Sequence, residues 1–272
     1  MVVDDREFLI GRAHSLLLVF LPAGFCNDLL IEVKTMKLYL SRIILNPSSK
    51  AVMHDLGSPR ELHKTISGCF PAIDGQDAKP THERETPRKA YNLLHRLDHK
   101  GECAVLYVQS SIEPDWDKLM PGYASRKDAK PVHDLYSNIS NGDRLQFRLA
   151  ANPTKRAGKD DVGKPRFHDE KRRRRIDIRT EADRIKWLAR KGEHCGFRLA
   201  VAASPDGAVM VEATTENASS FKHDKGRVTL GSAIFTGVLE VTDADAFRNA
   251  LANGIGSGKA YGFGLMSVAP AY

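Results

Sequence analysis

Hydrophobic residues recur along residues 36–150 with the spacings of strands and helices. Strands are predicted at 38–45, 90–97, 103–110 and 144–150, and helices from 58 and near 115–120. The first strand stops at Asn46-Pro47, and Ser58-Pro59 with Glu61 is typical of a capped helix N-terminus. This strand-helix-strand-strand-helix-strand order indicates a ferredoxin-like unit.

A second, less regular series follows from residue 179. Helices are predicted at 180–191 and 243–252, and strands at 197–203, 209–213, 233–241 and 264–268. The predicted fold class is therefore α+β, with two tandem ferredoxin-like, RRM-related βαββαβ domains at 36–150 and 179–272. Between them, Pro, Gly and charge replace hydrophobic periodicity, so 151–178 is predicted to be a basic, RNA-binding linker, partly disordered without ligand.

Residues 1–35 differ from the rest of the chain and are predicted to be a non-native N-terminal extension, because Met36 directly precedes a strong strand. Their apolar run at 16–21 is too short to cross a membrane, and Asp4 and Asp5 oppose a signal peptide. The four cysteines are scattered without a C-x-x-C pair, which fits a reducing compartment. We expect a cytoplasmic protein with no membrane partner.

Positive charge is concentrated in one part of the chain. The net charge is +7, yet residues 148–191 hold 16 Lys and Arg against 7 Asp and Glu. Such a segment suits a polyanion, because neutralised phosphates release counterions, although a solvated basic loop is the alternative. The predicted RNA-binding residues of this segment are Lys155, Arg156, Lys171, Arg172, Arg173, Arg174 and Arg175. Of these, the four arginines at 172–175 are predicted to clamp the phosphate-walled groove of an RNA duplex.

Two glycine pairs, Gly254-Ile255-Gly256 and Gly262-Phe263-Gly264, flank five residues near the C-terminus. Glycine permits positive φ and close backbone approach, so the doublet predicts a phosphate-facing loop, with a simple chain reversal as the alternative. A Walker loop is excluded because Ala260 follows Gly258-Lys259, and a Rossmann fingerprint would have to follow an early strand. The predicted RNA-contacting residues here are Gly256, Ser257, Gly258, Lys259 and Gly262.

His63 is the candidate catalytic residue. Its imidazole, with an ordinary pKa near 6.5, can exchange a proton with an RNA hydroxyl at neutral pH, and Arg60 and Lys64 could hold the phosphate. We expect His63 on a more exposed helix face beside a buried stripe of Leu62, Ile66, Cys69 and Phe70, although local sequence leaves a purely structural histidine open. No metal site is predicted, because His95 and His99 on a strand would stand about 13 Å apart.

Three segments taken together resemble the CasE family, the subtype I-E CRISPR repeat-processing endoribonucleases of the Cascade complex. They are residues 38–47, residues 147–155 and the glycine doublet. The resemblance covers about residues 36–272 and supports treating 1–35 as extraneous. It implies two ferredoxin-like domains that bind the stem-loop of a CRISPR repeat and cut at its 3′ base.

The resemblance also implies the chemistry and the partners. His63 falls where the family has its catalytic histidine, ahead of Cys69-Phe70-Pro71. By resemblance, the 2′-hydroxyl attacks the adjacent phosphodiester without a metal or cofactor, leaving 5′-hydroxyl and 2′,3′-cyclic or 3′-phosphate ends. The product then stays bound, and other Cascade subunits are expected partners.

One position departs from the family pattern. Some relatives have tyrosine three residues before the histidine, where this chain has Arg60. Arg60 or Lys64 is therefore predicted to orient the scissile phosphate instead. The departure leaves open a second interpretation, in which the chain is a non-catalytic RNA-binding scaffold of the same complex. A nucleotide-binding enzyme is disfavoured by the failed Walker and Rossmann patterns.

Overall fold

The computed structural model of the protein describes residues 37–73, 86–101, 103–156, 175–203, 207–223 and 226–271. The predicted N-terminal extension, 1–35, lies outside these ranges and stays a prediction. The elements of the first half are β1 Tyr39–Leu45, α1 Lys50–Leu56, α2 Pro59–Gly68, α3 Pro87–Ala90, β2 Leu94–Lys100, β3 Cys103–Ser110, β4 Ala124–Pro131 and α4 His133–Ser137.

The first sheet has the strand order β2-β3-β1-β4, with antiparallel neighbours throughout. In β1, Ser41, Ile43 and Leu45 alternate with half-buried residues and point to the buried face. Ile43 pairs with Leu106 of β3 on one side and Lys127 of β4 on the other. The central position of β1 explains why the apolar run at 38–45 was recognisable as a buried strand.

Helices α1 and α2 cover this sheet and are tied together by a buried carboxylate. Asp55 at the end of α1 accepts hydrogen bonds from Thr65 Oγ1 of α2 at 2.6 Å and from Tyr123 Oη at 2.8 Å. The predicted stripe of α2 is confirmed, because Leu62, Ile66, Cys69 and Phe70 are all at most 5% exposed. These contacts fix the orientation of α2 and therefore of His63, one residue beyond Leu62.

The second half of the chain forms a five-stranded sheet and a separate two-stranded ladder. Its elements are β5 Arg144–Ala151, β6 Thr154–Arg156, β7 Arg175–Asp177, α5 Glu181–Cys195, β8 Phe197–Leu199, β9 Val211–His223, β10 Gly226–Val241, α6 Ala244–Asn253 and β11 Met266–Pro270. The sheet order is β11-β5-β10-β8, and β9 also pairs with β10. Helices α5 and α6 bury Trp187, Phe247 and Leu251 in its core.

Both sheets have the strand order that defines a ferredoxin-like fold. In the first half the strands lie in the order β4-β1-β3-β2, which is 4-1-3-2 when they are numbered along the chain. In the second half the order is β11-β5-β10, and β8 and β9 both pair with β10 in the place of the second strand. The prediction of an α+β protein with two tandem ferredoxin-like units is therefore confirmed. In the first unit, the connection from β3 to β4 contains only the short 3-10 helix Trp116–Lys118 where a longer helix is usual.

The assignment of strands to the two units was partly wrong. The strand predicted at 144–150 is the first strand of the second sheet, since β5 pairs with β10 and β11. The last strand of the first sheet is β4, which the sequence did not indicate because its residues, Ala-Ser-Arg-Lys-Asp-Ala-Lys-Pro, are mostly exposed and charged at a sheet edge. We therefore propose a domain boundary between β4 and β5, ahead of the predicted 151–178.

The basic segment begins and ends on an antiparallel ladder. Strand β6 pairs with β7 so that Lys155 faces Ile176 and Arg156 faces Arg175. Asn152 donates to the Gly231 carbonyl at 2.6 Å, which attaches the base of this ladder to β10. The basic segment is thus an insertion in the second unit, between β6 and β7. The predicted disorder concerns residues that lie mainly outside the described ranges.

Element ends differ from prediction where local signals compete. A strand was predicted to begin at residue 90. Residues 87–90 instead form the short helix α3, which begins at Pro87. Thr180 and Asp243, the first residues of two predicted helices, accept backbone N–H bonds at the starts of α5 and α6, whereas the side chain of the predicted cap Ser58 makes no such bond at α2. Within the described residues, no helix is both long and apolar enough to span a bilayer.

A buried polar cluster joins the two sheets. Arg96 of β2, 2% exposed, forms a bidentate pair with Asp98 at 2.9 and 3.0 Å. The same guanidinium donates to the carbonyls of Arg148 in β5 and Leu265 just before β11, at 3.0 and 3.2 Å. The Asp98 carboxylate also lies 3.3 Å from Arg148 Nε. These contacts fix β2 against the C-terminal segment that carries the glycine doublet.

Candidate active site

His63 lies at the centre of the candidate site, half-buried on α2. Its ring stacks on that of His95 in β2, with ring centroids 5.7 Å apart and an interplanar angle of 19°. His63 is thus more exposed than the buried stripe of α2, as expected, but the neighbouring strand β2 covers one face of its ring. His95 itself is 1% exposed.

Three ring nitrogens of this histidine pair are buried and unbonded. Among the residues that the structure describes, His63 Nδ1 and both ring nitrogens of His95 have no hydrogen-bond partner. Protonation of such a ring costs free energy, because no hydrogen-bond acceptor or solvent stabilises the charged form. The pair is therefore held in its neutral form.

The ionisation of both rings shifts in the direction that this burial requires. Burial lowers the pKa of His95 to about 3, with the nearby His63 as a smaller cause. Burial also lowers the pKa of His63, and the charge of Arg88 lowers it further. At pH 7 His63 is consequently a neutral imidazole, which can accept a proton from an RNA hydroxyl.

The glycine loop packs against the histidine pair. Its short 3-10 turn, Lys259–Tyr261, contacts both α2 and β2. Gly262, at φ +88°, closes this turn, and a Cβ there would lie 3.6 Å from His95 Nε2. A side chain at Gly254, at φ +78°, would come within 2.8 Å of Leu94. The doublet thus serves chain reversal and close packing, while its predicted phosphate contacts stay untested.

A cationic cavity of about 210 Å³ opens between α3, β2 and the glycine loop. Its lining residues are Arg88, Lys89, Asn92, Leu93, Leu94, Asn253 and Lys259. Lys259 Nζ donates to the Asn253 carbonyl at 2.5 Å, and burial together with the charge of Arg88 lowers the pKa of Lys259. Because Arg88 also acts on His63, the cavity and the histidine pair form one electrostatic site.

The other predicted catalytic residues lie on the exposed part of α2. Lys64 is 82% exposed in its side chain, with Nζ 3.9 Å from Glu61 Oε2, and Arg60 is exposed as well. Neither residue lines the cationic cavity. Their roles at the scissile phosphate stay predictions.

The predicted RNA-binding residues fall into three groups. Lys155, Arg156 and Arg175 lie on the ladder at the base of the basic segment. The residues Lys171, Arg172, Arg173 and Arg174 lie outside the described ranges. Gly256, Ser257, Gly258, Lys259 and Gly262 belong to the glycine loop, and of these only Lys259 lines the cavity.

Three residues of the site were not predicted. Arg88 and Lys89 follow Thr86-Pro87, whose Thr-Pro pattern resembles the start of α2 and could have indicated a basic helix. His95 was considered only as a metal ligand. Its stacking on His63 depends on how β2 lies against α2, which no local pattern reveals.

Comparison with known proteins identifies the family. A family model described as "CRISPR associated protein" matches residues 38–270. The CRISPR-associated endoribonuclease Cse3 of Thermus thermophilus is 34% identical over 238 residues, covering 86% of this chain and 100% of the relative. The Cascade subunit CasE of Escherichia coli K12 is 33% identical over 239 residues, with the same coverage.

The structural comparison gives the same result. The structure of Thermus thermophilus Cse3 bound to an RNA representing a pre-cleavage complex matches with a TM-score of 0.65 and 33% identity, over 86% of this chain and all of the other. A further Thermus thermophilus crystal structure, of a CRISPR-associated protein, matches with a TM-score of 0.57 and 31% identity. The chain belongs to the family of CRISPR-associated proteins to which Cse3 and CasE belong.

Proposed function

We propose that this chain is an endoribonuclease that cuts CRISPR precursor RNA at the 3′ base of the repeat stem-loop, with His63 as the proton-transfer group. The observation that carries the proposal is a half-buried histidine with a lowered pKa on α2, the helix that the Lys259–Tyr261 turn of the cationic cavity contacts. The Cse3 and CasE relatives, named as an endoribonuclease and a Cascade subunit, support the substrate and the complex. RNA-bound structures of Cse3 support an RNA partner.

The proposed reaction needs only an internal nucleophile. Because Nδ1 of His63 is buried, we assign proton exchange to Nε2, which takes the proton of the RNA 2′-hydroxyl. The 2′-oxygen then forms a bond to the adjacent phosphorus, and the bond to the 5′-oxygen breaks. The departing 5′-oxygen takes a proton from water, and the water recovers one from protonated Nε2. The products are a 2′,3′-cyclic phosphate, or a 3′-phosphate after hydrolysis, and a 5′-hydroxyl.

Positive charge near His63 suits the transition state of this reaction. Negative charge grows on the phosphoryl oxygens as the 2′-oxygen attacks, and the half-buried cations Arg88 and Lys259 contribute a positive potential from the adjacent cavity. Arg60 and Lys64 are proposed to orient the phosphate from the exposed side of α2. In this mechanism neither a metal ion nor a cofactor is required, since the 2′-hydroxyl replaces an activated water.

The direct test is cleavage of a labelled repeat hairpin from the host in EDTA, by the full chain and by His63→Ala. We expect the variant to lose about 10²- to 10⁴-fold in single-turnover rate, the usual contribution of a general acid or base, with RNA affinity unchanged. His99→Ala, at an exposed histidine near the end of β2, is the matched control. Binding without cleavage by the wild type would establish the non-catalytic scaffold instead.

Product retention is a separate part of the proposal. We propose that the mature RNA stays bound, so that the protein enters Cascade together with it. A multiple-turnover experiment should give one product per protein molecule and then stop. Continued turnover at a rate close to the single-turnover rate would contradict retention while leaving the cleavage proposal intact.

A further inference from the structure

The cationic cavity is built from both units of the protein. Arg88 and Lys89 come from α3 of the first unit, while Lys259 and Asn253 come from the C-terminal end of the second. Leu93 and Leu94 form its apolar part. The Arg96 contacts to the second sheet, two residues beyond Leu94, hold these walls in place.

The lining has the chemistry of a phosphate site. Three of its seven residues are cationic, and no carboxylate is among the described residues that line it. Lys259 is partly removed from water and uses one N–H on the Asn253 carbonyl, which leaves two donors for a ligand. The guanidinium of Arg88 can bind two oxygens of one phosphate in parallel.

Size and position restrict the ligand further. A volume of about 210 Å³ is below the roughly 300–1,000 Å³ of sites that enclose whole small-molecule ligands. The cavity therefore suits one phosphodiester and its sugar better than a free nucleotide. Leu94 of the lining directly precedes His95, which stacks on His63, and the turn that carries Lys259 contacts α2. A phosphate in the cavity would therefore lie close to the reacting one.

We propose that this cavity binds one backbone phosphate of the RNA, next to the phosphate that is cleaved. The proposal rests on the proposed function and adds a subsite to it. The flanking phosphate is bound by Arg88, Lys89 and Lys259. This binding positions the scissile bond at His63. Binding of the neighbouring phosphate thus holds the RNA in place and compensates for the tyrosine that some relatives have at the position of Arg60.

The test removes one phosphate charge from the RNA and the cavity cations from the protein, and asks whether the two losses of affinity depend on each other. Repeat RNA with a 2′-deoxy nucleotide at the cleavage site, which prevents cutting, carries one neutral methylphosphonate at each position flanking that site in turn. Affinity is measured for the wild type and for the Arg88→Gln/Lys89→Gln double variant. At one position, we expect the methylphosphonate to weaken wild-type binding about ten- to a hundredfold, as for a lost hydrogen bond to a charged group.

At that position the double variant, which keeps only Lys259 of the three cations, should be much less sensitive to the methylphosphonate. With unmodified RNA, its slope of log affinity against log salt should fall by at most about 0.7–0.9, because all three cations serve one phosphate. Lys118→Gln, which removes an exposed lysine paired with Asp115, should leave wild-type sensitivity intact. Equal sensitivity of wild type and double variant at every position would overturn the proposal.

Two further measurements keep the outcomes separate. Lys89 is exposed, so Lys89→Gln alone should fold normally and still show a reduced methylphosphonate effect. Cleavage of unmodified repeat by the wild type is scored in parallel. If the wild type binds but does not cleave, the proposed function fails while the coupling is still measured; cleavage without coupling removes only the cavity proposal.

Discussion

Replacing His95 by phenylalanine should make the protein more resistant to acid. The buried ring of His95 stays neutral in the folded protein because its pKa falls to about 3, whereas in the unfolded chain it titrates near 6.5. Below pH 6.5 the unfolded state therefore binds a proton that the native state does not, and folding loses free energy. The loss continues until the pH reaches the folded pKa.

The size of the effect follows from the two pKa values. Each pH unit below 6.5 costs about 1.4 kcal/mol, so between pH 7 and pH 5 the wild type loses about 2 kcal/mol of unfolding free energy through His95 alone. Phenylalanine keeps an aromatic ring against His63 but has no group to titrate. His95→Phe should lack this part of the pH dependence, and it also removes two unbonded nitrogens.

Urea unfolding at pH 7 and pH 5 measures the difference. The two tryptophans, Trp116 and Trp187, lie in the cores of the first and second sheets, so their fluorescence reports on both. The control is His99→Phe, which removes an exposed histidine from the same strand and should leave the wild-type pH dependence. If wild type and His95→Phe lose equal free energy between the two pH values, the buried neutral state of His95 is refuted.

Three further predictions concern the joint between the sheets, the reaction and the domain boundary. Arg96→Met should lower the unfolding free energy by about 3–5 kcal/mol in urea titrations, because it leaves Asp98 buried without its main partner; Arg96→Met/Asp98→Leu should recover most of this loss. The single-turnover rate of the wild type should stay constant to below pH 6.5, and Arg88→Gln should move its acid inflection upward, since the charge of Arg88 lowers the pKa of His63. A fragment of residues 144–272 should fold by circular dichroism, and one of 179–272 should not, because it lacks β5 between β10 and β11.

Each of these predictions has a result that contradicts it. A loss below 1 kcal/mol for Arg96→Met would mean that the pair is not a buried joint. If the rate of Arg88→Gln has its acid inflection at the same pH as the wild type or at a lower pH, the charge of Arg88 does not act on His63. A folded 179–272 fragment would support the boundary first predicted from composition.

The sequence could predict those elements whose burial follows a local period. Strand β1 and helix α2 bury regular faces, so their apolar positions repeat at the spacing of their secondary structure. Strand β4 could not be found in this way, because it lies at a sheet edge with charged side chains. The pairing of β5 with the second sheet depends on partners far along the chain, which periodicity does not report.

The candidate site was predictable only in part for the same reason. His63 stood out because its helix start and its neighbouring cations are local in sequence. His95, Arg88 and Lys259 reach it through strand pairing and the packing of the glycine loop. A local signal existed for Arg88 in Thr86-Pro87, but its significance depends on a loop more than 160 residues away.

The ladder of β6 and β7 makes the basic segment separable from the scaffold. Both ends are held by the same three residue pairs, and Asn152 attaches them to β10. Lengthening the chain beyond Arg156 costs little loop-closure entropy, since that cost grows only with the logarithm of length. The number of residues between Arg156 and Arg175 can therefore vary without rebuilding either sheet.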